Sequence, residues 1–137
     1  MTVSAIDHNK AIVKAFYEGG RLGNITSFAE ALDASFLLSA PTYLPWGGVS
    51  DKRQYLDVVL PQVGRALDFA RLEYVTETAE ADRVIVLIDV GIHETDSTVK
   101  ISEHWRLRDA KAISLWVAYY EPELLLAQLV SKKERST

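Results

Sequence analysis

The chain contains no cysteine, so disulfide bonding and thiol chemistry are excluded. Histidine is scarce: His8, His93 and His104 are all there is. No pair of them has ligand spacing on one face, so neither a metal nor any other cofactor is expected. Long apolar runs are missing too. Val84–Ile88 stops at Asp89, far short of the roughly 20 residues that cross a bilayer, and no membrane partner is expected. Basic charge is in deficit: 15 Lys and Arg face 19 Asp and Glu, for a net charge of −4. Nucleic acid is therefore not an expected partner. The short tail Lys132-Lys133-Glu134-Arg135 reads as a solvated terminus. The first residues lack the basic start and apolar stretch of a secretory signal, which makes the cytoplasm the expected location. Gly-x-Ser-x-Gly, phosphate-loop and dinucleotide fingerprints do not occur, and Gly19-Gly20 and Gly47-Gly48 read as turn glycines.

What is present suits one domain over residues 1–137, with 48% hydrophobic residues to build a core. Residues 7–17 read as an amphipathic helix with Ala11, Ile12, Ala15 and Phe16 on one face and Asp7 as N-cap. The glycines at 19–20 and 23, with Asn24, are expected to end it. A short helix over 25–32 and a short strand over 36–39 follow. Pro41–Gly48 is a loop carrying Tyr43 and Trp46. Ser50 or Asp51 then caps a helix with Tyr55, Leu56, Val59 and Leu60 on one side, and Pro61 predicts a break or kink. Beyond it the period changes to two. Residues 69–78, 83–93, 99–108 and 112–120 read as four strands joined by short turns, an antiparallel meander. A helix over 122–131 closes the chain. Helices followed by a curled antiparallel sheet make an α+β plan, a cone with helices across its open side.

One strand is more informative than the rest. Val99, Ile101, Glu103, Trp105 and Leu107 alternate with Lys100, Ser102, His104, Arg106 and Arg108. Glu103 is the single ionisable group in the apolar row. A carboxyl there must be paired, stay protonated or line a cavity. A hairpin turning at Thr95-Asp96 would put Ile88 opposite Glu103 and Val90 opposite Ile101, with no cross-strand cation. Two readings stand open. Glu103 is an acid, base or hydrogen-bond donor with a raised pKa, or a structural carboxyl bonded to Tyr120, Tyr55 or a trapped water.

Phe16, Tyr43, Trp46, Tyr55, Trp105, Trp116 and Tyr120 come from several elements and are expected to converge at the cone mouth. They form either an aromatic core or the walls of a small-molecule pocket, with Val59, Ile88, Ile101 and Ala118 completing the lining. In the last strand Trp116, Ala118 and Tyr120 share one face. Leu115, Val117 and Tyr119 share the other, which with Leu87 is expected outside, covered by a second copy in a homodimer.

The order helix, helix, aromatic-rich loop, helix, four-strand meander resembles the nuclear transport factor 2-like (NTF2-like) superfamily. More narrowly, it resembles SnoaL-like and ketosteroid-isomerase-like proteins. The local matches are Glu103-His104-Trp105-Arg106-Leu107-Arg108-Asp109, Trp116-Val117-Ala118-Tyr119-Tyr120 and the Pro45-Trp46-Gly47-Gly48 loop, and the resemblance covers nearly the whole chain. It implies a cone-shaped α+β fold, a curved antiparallel sheet with N-terminal helices packed across its concave face. It also implies that Glu103 stands where ketosteroid isomerases hold a protonated aspartic acid in the oxyanion hole. Tyr120 and Trp116 fall on pocket-lining positions. The oxyanion tyrosine of those enzymes is matched by Phe16, while Tyr17 is expected to point elsewhere, and their general base is matched by Ala40. Steroid double-bond isomerisation is therefore not expected. The resemblance leaves a protein that binds a mostly apolar, oxygenated small molecule. Glu103 and Tyr120 would be the candidate catalytic groups for isomerase, cyclase or dehydratase-type proton transfer, with Tyr55 able to share the hydrogen bonding. The alternative is a dimerisation or ligand-binding module without turnover.

Overall fold

The computed structural model describes residues 4–22 and 25–136, apart from the side chains of residues 20–22, 25, 27 and 134–136. Helix α1 (Ala5–Leu22) starts earlier than its sequence pattern suggests, because Ser4 rather than Asp7 caps it: Ser4 Oγ accepts the Asp7 N–H at 3.1 Å. Asp7 sits instead in the first turn, where a carboxylate suits the helix dipole. The buried face is Val13, Phe16 and Tyr17, at i, i+3 and i+4 spacing, while Ala11 and Ala15 are exposed. The larger side chains win the core-facing stripe. The helix runs through Gly19-Gly20; Gly23 and Asn24, also expected to end it, lie outside the described residues.

Helix α2 (Ile25–Glu30) leads into strand β1 (Leu32–Ala40), longer than the alternation over 36–39 suggests. The loop that follows is pinned by Leu44 N–H to Pro41 O (3.1 Å) and Gly47 N–H to Leu44 O (2.9 Å), which turns the Trp46 ring into the core. Gly47 is required there, since a Cβ would lie 2.1 Å from Pro41 O. Strand β2 (Gly48–Asp51) was not evident from the sequence. Asp51 caps α3 (Lys52–Gln54), accepting the Gln54 N–H at 2.9 Å, and Ser50 is buried in the strand instead. A π-helical turn (Tyr55–Val59) then passes into α4 (Leu60–Ala66). Pro61 does not break the helix: it occupies the first turn of α4, and the wider π turn before it absorbs the missing donor.

Strands β3 (Leu67–Glu80), β4 (Arg83–Ile92), β5 (Thr98–Arg108) and β6 (Lys111–Tyr120) form the expected antiparallel meander, and α5 (Glu123–Ser136) follows. Lys132 of α5 is not merely solvated, for its Nζ donates to Arg65 O at 2.8 Å. The sheet has six strands in the order β2-β1-β6-β5-β4-β3, and β1 pairs with β6 in parallel. Its register shifts at four places, and two of these matter most for the site. In β3 the register slips between Asp68 and Glu73, where Arg71 folds over Gly91 and donates to Ile92 O (2.8 Å) and Asp68 (2.9 Å). In β6 it slips between the partners of Arg106 and Leu107, leaving Ile113 unpaired. Such bulges bend a strand and exchange its faces.

That second bulge corrects the expected facing of β6. Leu107 pairs with Ala112, but beyond the bulge Trp105 pairs with Leu115, Glu103 with Val117 and Ile101 with Tyr119. Leu115, Val117 and Tyr119 therefore face inward. Trp116, Ala118 and Tyr120 face outward. The β4–β5 hairpin also turns one position earlier than expected, so Val86 rather than Ile88 stands opposite Glu103, and Val90 pairs with Val99. The slip is by two residues, which preserves the facing. Among the described residues no helix is long and apolar enough to cross a membrane.

Candidate functional site: an aromatic cavity with one carboxyl

A cavity of about 230 Å³ lies between the concave face of the sheet and the helices. Helix α1 supplies Phe16 and Tyr17, α2 supplies Phe28, and the π turn with α4 supplies Tyr55, Val59, Val63 and Gly64. The sheet supplies Ile88, Ile101, Glu103, Trp105, Leu115, Val117 and Tyr119, and the loop supplies Trp46. Phe16 stacks on Trp105 with ring centroids 4.6 Å apart, and Phe28 meets Phe16 edge-on at 4.8 Å. Among the described residues no Lys, Arg or His lines this space.

Among the described residues Glu103 is the only carboxyl in the lining. It is half-buried and lines the cavity. Val86 and Val117 flank it across the sheet, so no cross-strand cation compensates it. Tyr17 donates its O–H to Glu103 Oε1 at 2.6 Å, and the Trp105 indole N–H donates to the Tyr17 oxygen at 2.8 Å. Burial pushes the Glu103 pKa up to about 7, and the hydrogen bond from Tyr17 partly opposes that rise. Burial, reinforced by the nearby Glu103 charge, holds the Tyr17, Tyr55, Tyr74 and Tyr119 phenols above their usual range; the Trp46 indole partly offsets this at Tyr119. Such phenols stay neutral at physiological pH. The site can thus hold or move one proton, on a carboxyl close to half-ionised near neutrality, and can donate hydrogen bonds from neutral phenols.

Of the residues singled out from the sequence, Glu103, Phe16, Trp46, Tyr55, Val59, Ile88, Ile101 and Trp105 line this cavity. Tyr43, Trp116 and Ala118 do not. They border a second concavity of about 380 Å³ with Ser39, Pro41 and Thr42, which shares Ala40, Val117 and Tyr119 with the first. Tyr120 faces outward beside Lys100 and is 64% exposed, so it cannot bond to Glu103. The partner that sequence reasoning missed is Tyr17. Its signal was its position one and four residues after Phe16 and Val13, which completes a helical stripe. Leu115, Val117 and Tyr119 were hidden by the β6 bulge. His93 is occupied structurally, its Nε2 lying 3.1 Å from Gly64 O. His104 lies on the convex face against Ser102 and Trp116.

No family model and no curated protein matches this sequence. Solved structures do. An NTF2-like protein of unknown function from Burkholderia pseudomallei superposes with a TM-score of 0.74 at 18% identity, over 86% of this chain and 95% of that one. One from Burkholderia xenovorans gives 0.71 at 18% identity, over 90% and 96%. TerC, co-crystallised with polyporic acid, gives 0.73 at 21% identity, over 88% and 98%. These superpositions show that the chain has an NTF2-like fold.

Proposed function

We propose that this protein binds a small, mostly apolar, oxygenated molecule in the cone and transfers a proton at a carbon next to a carbonyl. The observation that carries this reading is Glu103: one carboxyl, without a cation, inside an aromatic cavity, with a pKa near 7. With Oε1 engaged by Tyr17, the other oxygen carries or takes the proton. Protonated, the carboxyl donates to a ligand oxygen; ionised, it accepts a proton from carbon. Isomerisation, cyclisation and dehydration all use such a step. TerC, which shares the fold, was co-crystallised with a small molecule, and that supports a ligand of this general kind.

The test is exchange of the α-hydrogens of 1-tetralone in deuterated buffer, followed by proton NMR. Wild type is expected to accelerate exchange and Glu103→Gln to lose the acceleration. Equal acceleration by both would remove Glu103 from the chemistry. Saturable binding with no exchange would favour a ligand-binding module without turnover.

The same reading assigns a single domain that forms a homodimer through the convex face of the sheet. One cross-strand row there, Val49, Ser39, Trp116, His104, Ile85 and Thr78, runs across all six strands without an Asp, Glu, Lys or Arg. Trp116 is 52% and Val49 66% exposed within one protomer. A row of that length without acidic or strongly basic side chains, with Val49, Trp116 and Ile85 exposed on it, suits a self-complementary interface. The absence of cysteine suits the cytoplasm, the compartment this reading assigns.

A further inference from the structure

Tyr55 is a buried phenol with no hydrogen-bond partner among the described residues. Its side chain is 6% exposed, and its ring is held 5.2 Å from Phe36 and 6.0 Å from Phe28. It lines the cavity, and among the described residues nothing bonds to its hydroxyl; Glu103 and Tyr119 are the polar groups it senses. Buried tyrosine hydroxyls ordinarily find a partner, and leaving one without costs stability. The backbone makes a local exception to present it. Tyr55 opens the π turn, where the Leu60 N–H reaches back five residues to Tyr55 O, and π turns recur at functional sites.

The contrast with Tyr17 sharpens the point. Tyr17 spends its one proton on Glu103 and accepts from Trp105, so it has no donor left for a ligand. Tyr55 has its donor free. Among the described residues no cation lines the cavity, so none of them would compensate an anionic ligand beside Glu103. An apolar cavity of about 150 Å³ accepts benzene, so about 230 Å³ accommodates roughly ten non-hydrogen atoms.

Resting on the cavity reading above, we infer that the ligand is an uncharged compound of one or two rings with an acceptor oxygen, held by the Tyr55 hydroxyl together with Glu103. Tyr55 is the donor that selects a carbonyl over a hydrocarbon or an amine. Four-ring compounds are excluded by size.

The test is calorimetric titration at pH 6 with four probes: tetralin, 1-tetralone, 1-aminotetralin and the four-ring ketone progesterone. Wild type is expected to bind 1-tetralone more tightly than tetralin or 1-aminotetralin and not to bind progesterone. Tyr55→Phe is expected to weaken 1-tetralone by roughly three- to tenfold, the worth of one hydrogen bond, and to leave tetralin unchanged. Because the hydroxyl has no partner among the described residues, this variant should melt no lower than wild type. Equal 1-tetralone affinity in wild type and Tyr55→Phe overturns the contact. Preferred binding of the amine, or tight binding of progesterone, overturns the ligand class. The two readings fail separately. If α-hydrogen exchange still depends on Glu103 while Tyr55→Phe binds normally, only the Tyr55 inference falls. If wild type binds none of the four, both fall.

Discussion

The Tyr17 hydroxyl donates to Glu103 at 2.6 Å, and the direction of that bond is fixed by a third residue. An indole N–H can only donate, and Trp105 donates to the Tyr17 oxygen, so the phenolic proton must point at the carboxyl. Tyr17 thus stabilises the charge on Glu103 rather than offering a proton to a ligand. This differs from the arrangement that the resemblance to ketosteroid isomerases implies, where tyrosine and acid face the ligand side by side. The hydroxyl missing from Phe16 is present next door, but it is spoken for.

Glu103 should make the protein less stable as pH rises. Below its ordinary value of 4.5 the carboxyl is protonated in both folded and unfolded chains and costs nothing. Between 4.5 and about 7 the unfolded chain ionises first and stability falls; above about 7 the loss is complete, at roughly 3 kcal/mol. Asp33, Asp68 and Asp82, held low by Ser35, Arg71 and Arg106 respectively, contribute the opposite slope at acid pH. The wild-type minus Glu103→Gln difference isolates Glu103. Urea midpoints at pH 5 and pH 8.5 should show the variant gaining on wild type only at the higher pH; a difference independent of pH would contradict the raised pKa.

Tyr17→Phe removes one hydroxyl and strands two buried groups, the Trp105 N–H and Glu103 Oε1. A cost of about 2–3 kcal/mol is expected in denaturant unfolding. Since the Tyr17 bond opposes the rise in the Glu103 pKa, losing it should move the carboxyl titration to higher pH. Carbon-13 NMR of labelled glutamate reads that midpoint directly. A midpoint that stays put or falls would mean that the bond does not favour the ionised form.

Gly47→Ala places a methyl group 2.1 Å from Pro41 O, a backbone atom that cannot swing away. The loop must open, and Trp46 should lose its buried position. The expected loss is about 1–3 kcal/mol, with red-shifted tryptophan emission. Unchanged emission and melting temperature would show that the loop tolerates the strain.

Trp116→Lys tests the assembly. Its side chain projects from the convex face and contacts His104, so the protomer's own core is not disturbed. Sedimentation equilibrium should find wild type dimeric and the variant monomeric at the same concentration, with protomer secondary structure retained by circular dichroism. A monomeric wild type would discard the interface.

The strand Val99–Leu107 was legible because its alternation is strict and one position breaks it. That single irregularity located the carboxyl and, with Trp105, much of one cavity wall. The phase of β6 was not legible, because residues 115–120 are apolar on both faces and the unpaired Ile113 decides between them. The α1 face was assigned in part: Phe16 is buried and Ile12 packs against the core as expected, but alanines at 11 and 15 fit the helical period as well as Val13 and Tyr17 do, and volume in the core, not period, settled those positions. Strand β2 has only four residues at the sheet edge, too short for a pattern. The β1–β6 pairing joins segments that carry no mutual signal in sequence.

That parallel pairing has a consequence for how the site comes into being. Leu38 and Ala40 wall the cavity from β1, while Leu115, Val117 and Tyr119 wall it from β6, and Leu38 meets Leu115 directly. Between them runs most of the chain. The binding chamber therefore cannot exist in any partly formed hairpin or local intermediate. It closes only at a step that carries a large loop-closure entropy, of the kind that slows folding. Affinity for ligand is then acquired all at once and late, and a bound ligand would act on the native state by slowing the parting of those two strands.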